Sequence, residues 1–175
     1  MDVGAGSFRA VMGRFATGIS VVTTIDRAGR PAGITVSAMS SVSLEPPLVM
    51  VALARGRFIN PIVAESGRFA VNVLGHDQQA LSDCFAHAHV NPGRDEFCGA
   101  SWRAGSTGLP LLDGTLASLE CSVVQTLPVG DHELFIGRVD ELAIHRDADP
   151  LLYFRREYLR VDHGTPSPVE GKPEA

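Results

Sequence analysis

GITVSAMSSVSLEPP spans residues 33–47 and frames how the rest of the chain reads. Five hydroxyl side chains, Thr35, Ser37, Ser40, Ser41 and Ser43, stand among Val36, Ala38 and Val42, with Glu45 as the only charge. A strand repeats every second residue, so Thr35 and Ser37 fall on one face. Small side chains let a ligand approach the backbone. Hydroxyls and backbone N–H groups hydrogen-bond phosphate or ring oxygens without supplying a fixed charge. A half-buried strand with one polar face carries the same pattern, and the segment alone leaves both readings open. The composition predicts a single strand over 33–44, stopped by Pro46-Pro47.

Outward from that strand the chain reads as mainly β with short helices. Phe8, Val11, Met12 and Phe15 recur at helical spacing, with Ser7 as cap and Gly18 as terminator. ISVVTTI (19–25) is rich in β-branched residues and precedes a hairpin turn at Asp26–Arg30. LVMVAL (48–53) is apolar on both faces, the pattern of a central strand. A short helix is predicted over 58–66, ending at Gly67, and a strand over RFAVNVL (68–74). Asp77 caps a predicted helix to about His87, with Ala80, Leu81, Cys84 and Phe85 facing inward.

Residues 88–110 lack periodicity, and a loop of that length is expected to cover a site. Leu116–Leu127 alternates, with Ala117, Leu119, Cys121 and Val123 on one side, before a turn at Pro128–Asp131. HELFIGRVDELAIH (132–145) is the last long strand, and LLYFRREY (151–158) reads as a short helix. The expected organisation is one domain over 1–161 and a disordered Pro/Gly/Glu-rich tail over 162–175. About six antiparallel strands at this length imply a closed barrel, which removes exposed edges.

Composition excludes several function classes. The 175 residues are 45% hydrophobic and 20% charged, values of a globular chain with one sizeable core. Net charge is −5 with no dense Lys/Arg run, so no nucleic-acid partner is expected. No apolar run reaches the roughly 18 residues of a membrane span, and the N-terminus shows no signal-peptide core. Cys84, Cys98 and Cys121 are odd in number, which argues against a disulfide framework and for a reducing, cytoplasmic compartment. No Walker motif, no strand-linked G-x-G-x-x-G and no G-x-S-x-G elbow occurs. Cys84, His87, His89 and Cys98 form C-x2-H-x-H-x8-C. That spacing matches no familiar zinc module, and Cys84 falls on the apolar face of its helix, so no metal is assigned. His132, just after a Gly-Asp turn, reads by itself as a strand-end surface histidine.

Seven segments in order carry a resemblance: FRAVMGRFATGISVVTT, GITVSAMSSVSLEPPLVMVAL, FAVNVL, LSDCFA, GLPLLDGTLASLEC, GDHELFIGRV and PLLYFRREY. Over roughly residues 7–160 the chain resembles the short-chain flavin reductases, the NAD(P)H:flavin oxidoreductase components of two-component monooxygenases. The resemblance implies a mainly β fold, a split β-barrel of the FMN-binding type with short peripheral helices, usually a homodimer. It implies FMN or FAD as flavin and NADH or NADPH as hydride donor, with a monooxygenase receiving diffusible reduced flavin. A flavin-binding protein of the same barrel acting on another acceptor is the alternative, and a small metal-binding domain the more distant one.

The resemblance also assigns positions. Thr35, Val36, Ser37, Ala38, Ser41 and Ser43 match the segments that line the flavin. Ala54, Arg55 and Gly56 match the loop at its phosphate end, where the planar fork of Arg55 suits two phosphate oxygens. Relatives often carry Ser or Thr further along that loop, where this chain has Arg57, Phe58 and Ile59. Asn72 matches the position facing the isoalloxazine edge, and Phe85 one near the ring. His132 matches the nicotinamide-proximal histidine and is the catalytic candidate. Tyr153, Phe154, Arg155 and Arg156 match positions near the nicotinamide nucleotide.

Overall fold

A computed structural model describes residues 3–87 and 96–163. In chain order the elements are α1 (Ala5–Met12), β1 (Thr17–Gly18), β2 (Ser20–Ile25), β3 (Pro31–Val36), β4 (Met39–Leu44), β5 (Pro47–Ala54), α2 (Ile59–Ser66), β6 (Arg68–Val73) and α3 (Gln79–His87). A 3-10 turn (Glu96–Gly99) follows, then β7 (Trp102–Ala104), β8 (Pro110–Leu112), β9 (Ala117–Val129), β10 (His132–Ile144), β11 (Leu152–Phe154) and β12 (Glu157–Leu159).

Seven strands form one antiparallel sheet in the order β3-β2-β6-β9-β10-β5-β4. β3 and β4 are its two edges, yet only Ser37 and Ala38 separate them in the chain. Three Cα steps span at most about 11 Å, so the sheet must curl until its edges nearly meet. The result is a barrel-like sheet split between β3 and β4. On the β4 side of the split, the Ala52 amide donates to the Ala38 carbonyl at 3.0 Å, which extends the β4–β5 ladder by one position.

The curl encloses the main core, which includes Val22, Ile34, Val51, Leu53, Phe69, Val71 and Phe135. β10 approaches Phe69 through Gly137, where an added Cβ would lie 2.6 Å from the Phe69 ring. A second core cluster under α3 joins Ile19, Val21, Leu74, Phe85, Phe97, Leu112 and Leu151.

Several expectations from the sequence are corrected. The 33–44 segment is two strands and not one, because the chain must leave one sheet edge for the other at Ser37-Ala38. For the same reason the barrel is split and not closed. The 151–158 segment is the β11–β12 hairpin and not a helix. Its aromatics pair across strands, Tyr153 opposite Tyr158 with ring centroids 5.3 Å apart. Residues 88–110 are not featureless: they contain β7 and the first residue of β8, which pair antiparallel.

At the helix starts, Gly4 and not Ser7 holds the N-cap of α1, and that helix gives way at Gly13 and not Gly18. Asp77 pairs with Arg146 instead of capping, and α3 begins at Gln79. α3 buries Ser82 and Phe85, while Ala80 is exposed. The expected 128–131 turn is only Gly130-Asp131, with Val129 paired to His132. Two of the three cysteines do pair: Cys84 and Cys98 form a disulfide, brought to a Cα separation of 6.0 Å by α3 and the 3-10 turn. Cys121 stays buried as a thiol, and burial pushes it up to about 12. Most of the expected tail lies outside the described residues, as does His89 of the Cys/His motif.

Candidate active site

A cleft of about 580 Å³ opens at the split. Ser37 and Ala38, the two residues that cross it, form one wall, with Met39 of β4 and Met50 of β5 beside them. Met50 explains why β5 is apolar on both faces: Val49, Val51 and Leu53 look into the core, and the opposite face turns toward the cleft.

The facing wall is a small lobe made of α1 and the β11–β12 hairpin. β1 pairs with β11, Thr17 opposite Tyr153, and the Arg155 amide donates to the Gly13 carbonyl at 2.9 Å. α1 buries none of its residues. Its apolar stripe supplies Phe8, Met12 and, just beyond the helix, Phe15 to the cleft. Their exposures are 58%, 48% and 69%.

Charge at the cleft has one sign. Arg9, Arg155 and Arg156 line it, and no acidic residue does among the described residues, in a chain of net charge −5. Arg155 lies over the Phe154 ring at 5.0 Å, a cation–π placement. An apolar cleft ringed by three guanidinium groups suits a flat, anionic ligand. A flavin mononucleotide or a reduced nicotinamide nucleotide has that shape and charge.

The structure divides the sequence-assigned residues into three groups. Ser37, Ala38, Tyr153, Phe154, Arg155 and Arg156 line the cleft together. Ala54, Arg55, Gly56 and His132 gather at the far end of β5. Ala54 is opposite His132, and the Arg55 amide donates to the Asp131 carbonyl at 2.8 Å. Met50 and Ala54 are four steps apart along β5, roughly 13 Å. His132 Nδ1 lies 2.7 Å from Asp131 Oδ1. That hydrogen bond first, then the histidine's charge and more weakly Arg9, hold the Asp131 carboxyl below the usual carboxylate range.

The remaining residues are engaged elsewhere. Val36 is buried in the core. Asn72 is fully buried. It donates to the Val21 carbonyl at 3.1 Å and Thr23 Oγ1 at 3.0 Å, and accepts from the Leu112 amide at 2.8 Å. No polar atom of its side chain is left for a ligand. Phe85 packs edge-on to Phe97 at 5.0 Å and lies against Gly33. Ser41 is exposed and Ser43 half-buried on β4, outside the cleft lining. The Thr35 hydroxyl donates to the Ser82 carbonyl at 2.7 Å.

Thr35 also borders a second cleft of about 390 Å³, which shares Ser37, Tyr153 and Arg156 with the first. The site residues that sequence reasoning missed are Phe8, Arg9, Met12, Phe15, Met39 and Met50. Their signal was the apolar stripe of α1 with a basic residue beside it, and a strand apolar on both faces.

The flavin reductase like domain model matches residues 12–162. The chain is 38% identical over 156 residues to an NADH-dependent flavin reductase of Rhodococcus sp, covering 88% of this chain and 85% of that protein. A probable flavin reductase of Rhizobium meliloti (strain 1021) is 41% identical over 133 residues. That match covers 76% of this chain, which spans only 42% of the longer relative. The solved styrene monooxygenase flavin reductase (SMOB) of Pseudomonas putida S12 superposes with a TM-score of 0.79 at 35% identity, covering 93% of this chain and 99% of that one.

Proposed function

We propose that this chain, which belongs to the flavin reductase like domain family, is an NADH-dependent flavin reductase that delivers reduced FMN or FAD to a separate monooxygenase. The observation that carries this reading is the split cleft, with apolar walls, two small residues at its base and, among the described residues, arginine as its only charge. Hydride passes from nicotinamide C4 to flavin N5, so the bound cofactors supply the reacting atoms. The protein binds, orients and dries them. Ser37 and Ala38 leave room at the backbone for a ring. Phe8, Met12 and Met50 exclude water from it.

Arg55, beside the Asp131 turn, takes the flavin phosphate. His132 contacts the nicotinamide and sets its orientation, with Asp131 fixing the imidazole. No side-chain nucleophile is required.

The functional unit is a homodimer. α1 leaves Phe8 and Val11 bare, and Phe15 just beyond it and Val124 and Val129 on β9 are bare as well. A second copy covering that apolar surface would close the cleft against water. A cytoplasmic location is part of this reading, since NADH is the proposed hydride donor. No helix of the described residues is long and apolar enough to cross a membrane.

The test crosses NADH and NADPH with FMN and FAD in steady-state assays. Nicotinamide oxidation that depends on added flavin, fastest with NADH, is expected. Stoichiometric flavin binding without oxidation of either nicotinamide overturns the reductase reading.

A further inference from the structure

The three cysteines stand in two chemical settings. Cys84 on α3 and Cys98 in the 3-10 turn are bridged, and both residues are only half-buried. Cys121 lies in the main core at 1% exposure, where burial holds it as a neutral thiol. A neutral, buried thiol does not attack a disulfide, so exchange is confined to the exposed pair. A disulfide in a protein of a reducing compartment is more often made and broken in use than kept as a staple.

The turn that carries Cys98 is held against its backbone preference. Phe97 and Cys98 sit at φ 52° and 58°, a region costly for any residue with a Cβ. Such a conformation persists only where the surroundings impose it. Here they are the bridge to α3 and the Phe97 ring, edge-on to Phe85 at 5.0 Å and to Trp102 at 6.1 Å. Phe85 and Phe97 close together on Gly33 of β3, where an added Cβ would lie 2.7 Å from one ring and 3.2 Å from the other. Two residues further along β3, the Thr35 hydroxyl donates to the Ser82 carbonyl of α3 at 2.7 Å. Two residues beyond that, Ser37 lines the cleft. Packed rings and a hydrogen bond therefore join the bridge to the strand that enters the split.

We propose that Cys84–Cys98 is a reversible redox switch on the cleft. Bridged, it holds the 3-10 turn and α3 against β3, and the cleft keeps its binding form. Reduced, the turn relaxes out of the left-handed region, Phe97 leaves Gly33, and the cleft binds flavin weakly. The reductant is a dithiol. Its thiolate attacks one sulfur of the bridge to form a mixed disulfide, and its second thiol then displaces the remaining protein thiolate. Two electrons and two protons pass to Cys84 and Cys98, and the reductant leaves as its own disulfide. The inference rests on the reductase reading for the ligand of the cleft and adds a control that no cleft residue carries.

The experiment equilibrates wild type with oxidised glutathione or with dithiothreitol. In each state it measures the thiols titratable after denaturation, the FMN Kd, the apparent KM for NADH, the thermal midpoint and the emission of Trp102, the one tryptophan of the chain. One thiol is expected in the oxidised protein and three in the reduced. Reduction is expected to weaken FMN about tenfold, a common size for coupling between two sites. It should shift Trp102 emission to the red as Phe97 departs, and lower the midpoint by about 5–10 °C. Reoxidation should restore every value. A Cys84→Ser, Cys98→Ser double variant should match the reduced state and ignore both reagents. A lower midpoint with unchanged Kd and KM makes the bridge a staple and overturns the proposal. Three titratable thiols under both conditions, or global unfolding of the reduced protein at the assay temperature, overturn it as well. A redox-dependent Kd in a protein that oxidises neither nicotinamide upholds the switch and overturns the reductase reading.

Discussion

The barrel interior and the lobe that faces it are built on opposite terms. Inside the sheet, Val51, Phe69, Val71 and Phe135 are fully buried, and on the sheet's other face the buried Asn72 side chain is hydrogen-bonded through both its amide nitrogen and its oxygen. In the lobe, α1 buries nothing and the hairpin turns on two arginines at positive φ. The interior maximises burial and satisfied hydrogen bonds, the conditions of a stable fold. The lobe leaves apolar surface and cationic groups uncompensated, the condition of a surface awaiting ligand and partner. Stability and function therefore reside in different parts of the molecule, and substitutions should separate them.

The largest effect is expected in the interior. Phe135→Ala should cost about 3–5 kcal/mol, the range for deleting a buried aromatic, and lower the thermal midpoint by roughly 10 °C. Phe8→Ala on the lobe should stay within about 0.5 kcal/mol of wild type when measured under monomeric conditions. Comparable losses at the two positions would break the contrast.

Next in size is His132→Ala, with hydride transfer slowed 10- to 100-fold, the loss expected of an aligning group. Rapid mixing of NADH with the flavin-loaded protein reads this as slower bleaching. Flavin affinity and thermal midpoint should be nearly unchanged. An unaltered bleaching rate would make His132 a surface residue of the β10 terminus.

Ser37→Leu should fill the cleft floor and weaken flavin binding by about tenfold with the fold retained, since a few lost contacts and one clash remove roughly 1.4 kcal/mol. Fluorescence titration beside a melting curve checks both halves of that statement. An unchanged dissociation constant would move the flavin away from the split.

The smallest effect concerns pH. Burial first, and then the nearby Arg103, lower the His145 pKa below its ordinary value of 6.5. Its ring is 2.9 Å from Ser118 Oγ. The unfolded chain takes up the proton at higher pH than the folded one. His145 therefore contributes stability that is full above pH 6.5 and lost as pH falls through the folded value. His145→Asn should lose less midpoint than wild type between pH 7.5 and 5.5, by about 1 °C for a residue this open to solvent. Parallel curves would assign the pH dependence to other groups.

The strands that make the interior were legible one by one. ISVVTTI, LVMVAL, RFAVNVL and the long pair 117–129 and 132–144 carry β-branched or alternating residues, and each became a strand. Period-2 burial is a local property, so sequence displays it. The site was legible only in part. Ser37, Ala38 and the 153–156 segment could be assigned by motif, and they meet at one cleft. Asn72 and Phe85 belong to matching motifs as well, but their side chains are committed to the interior, which no motif reveals. The 151–158 hairpin escaped because its aromatic and charged pattern fits a helix turn as well as a two-residue turn. Only the pairing of β11 with β1, nearly the full chain length away, selects the latter.

By itself, the sequence determined a mainly β domain, its strand inventory, the family motifs and the residue types available to a flavin and a nicotinamide. The tertiary structure alone decided that residues 33–44 break at Ser37-Ala38 and that the sheet is split there. It also decided that α1 faces a cleft and not a core, and that Arg156 stands between two clefts. The reason is the range of the forces. Propensity and alternation act over a few residues, whereas the curl of the seven-stranded sheet is set by pairings between residues as distant as Phe69 and Cys121 or Val51 and Phe135, and the lobe by the pairing of Thr17 with Tyr153 in a separate sheet.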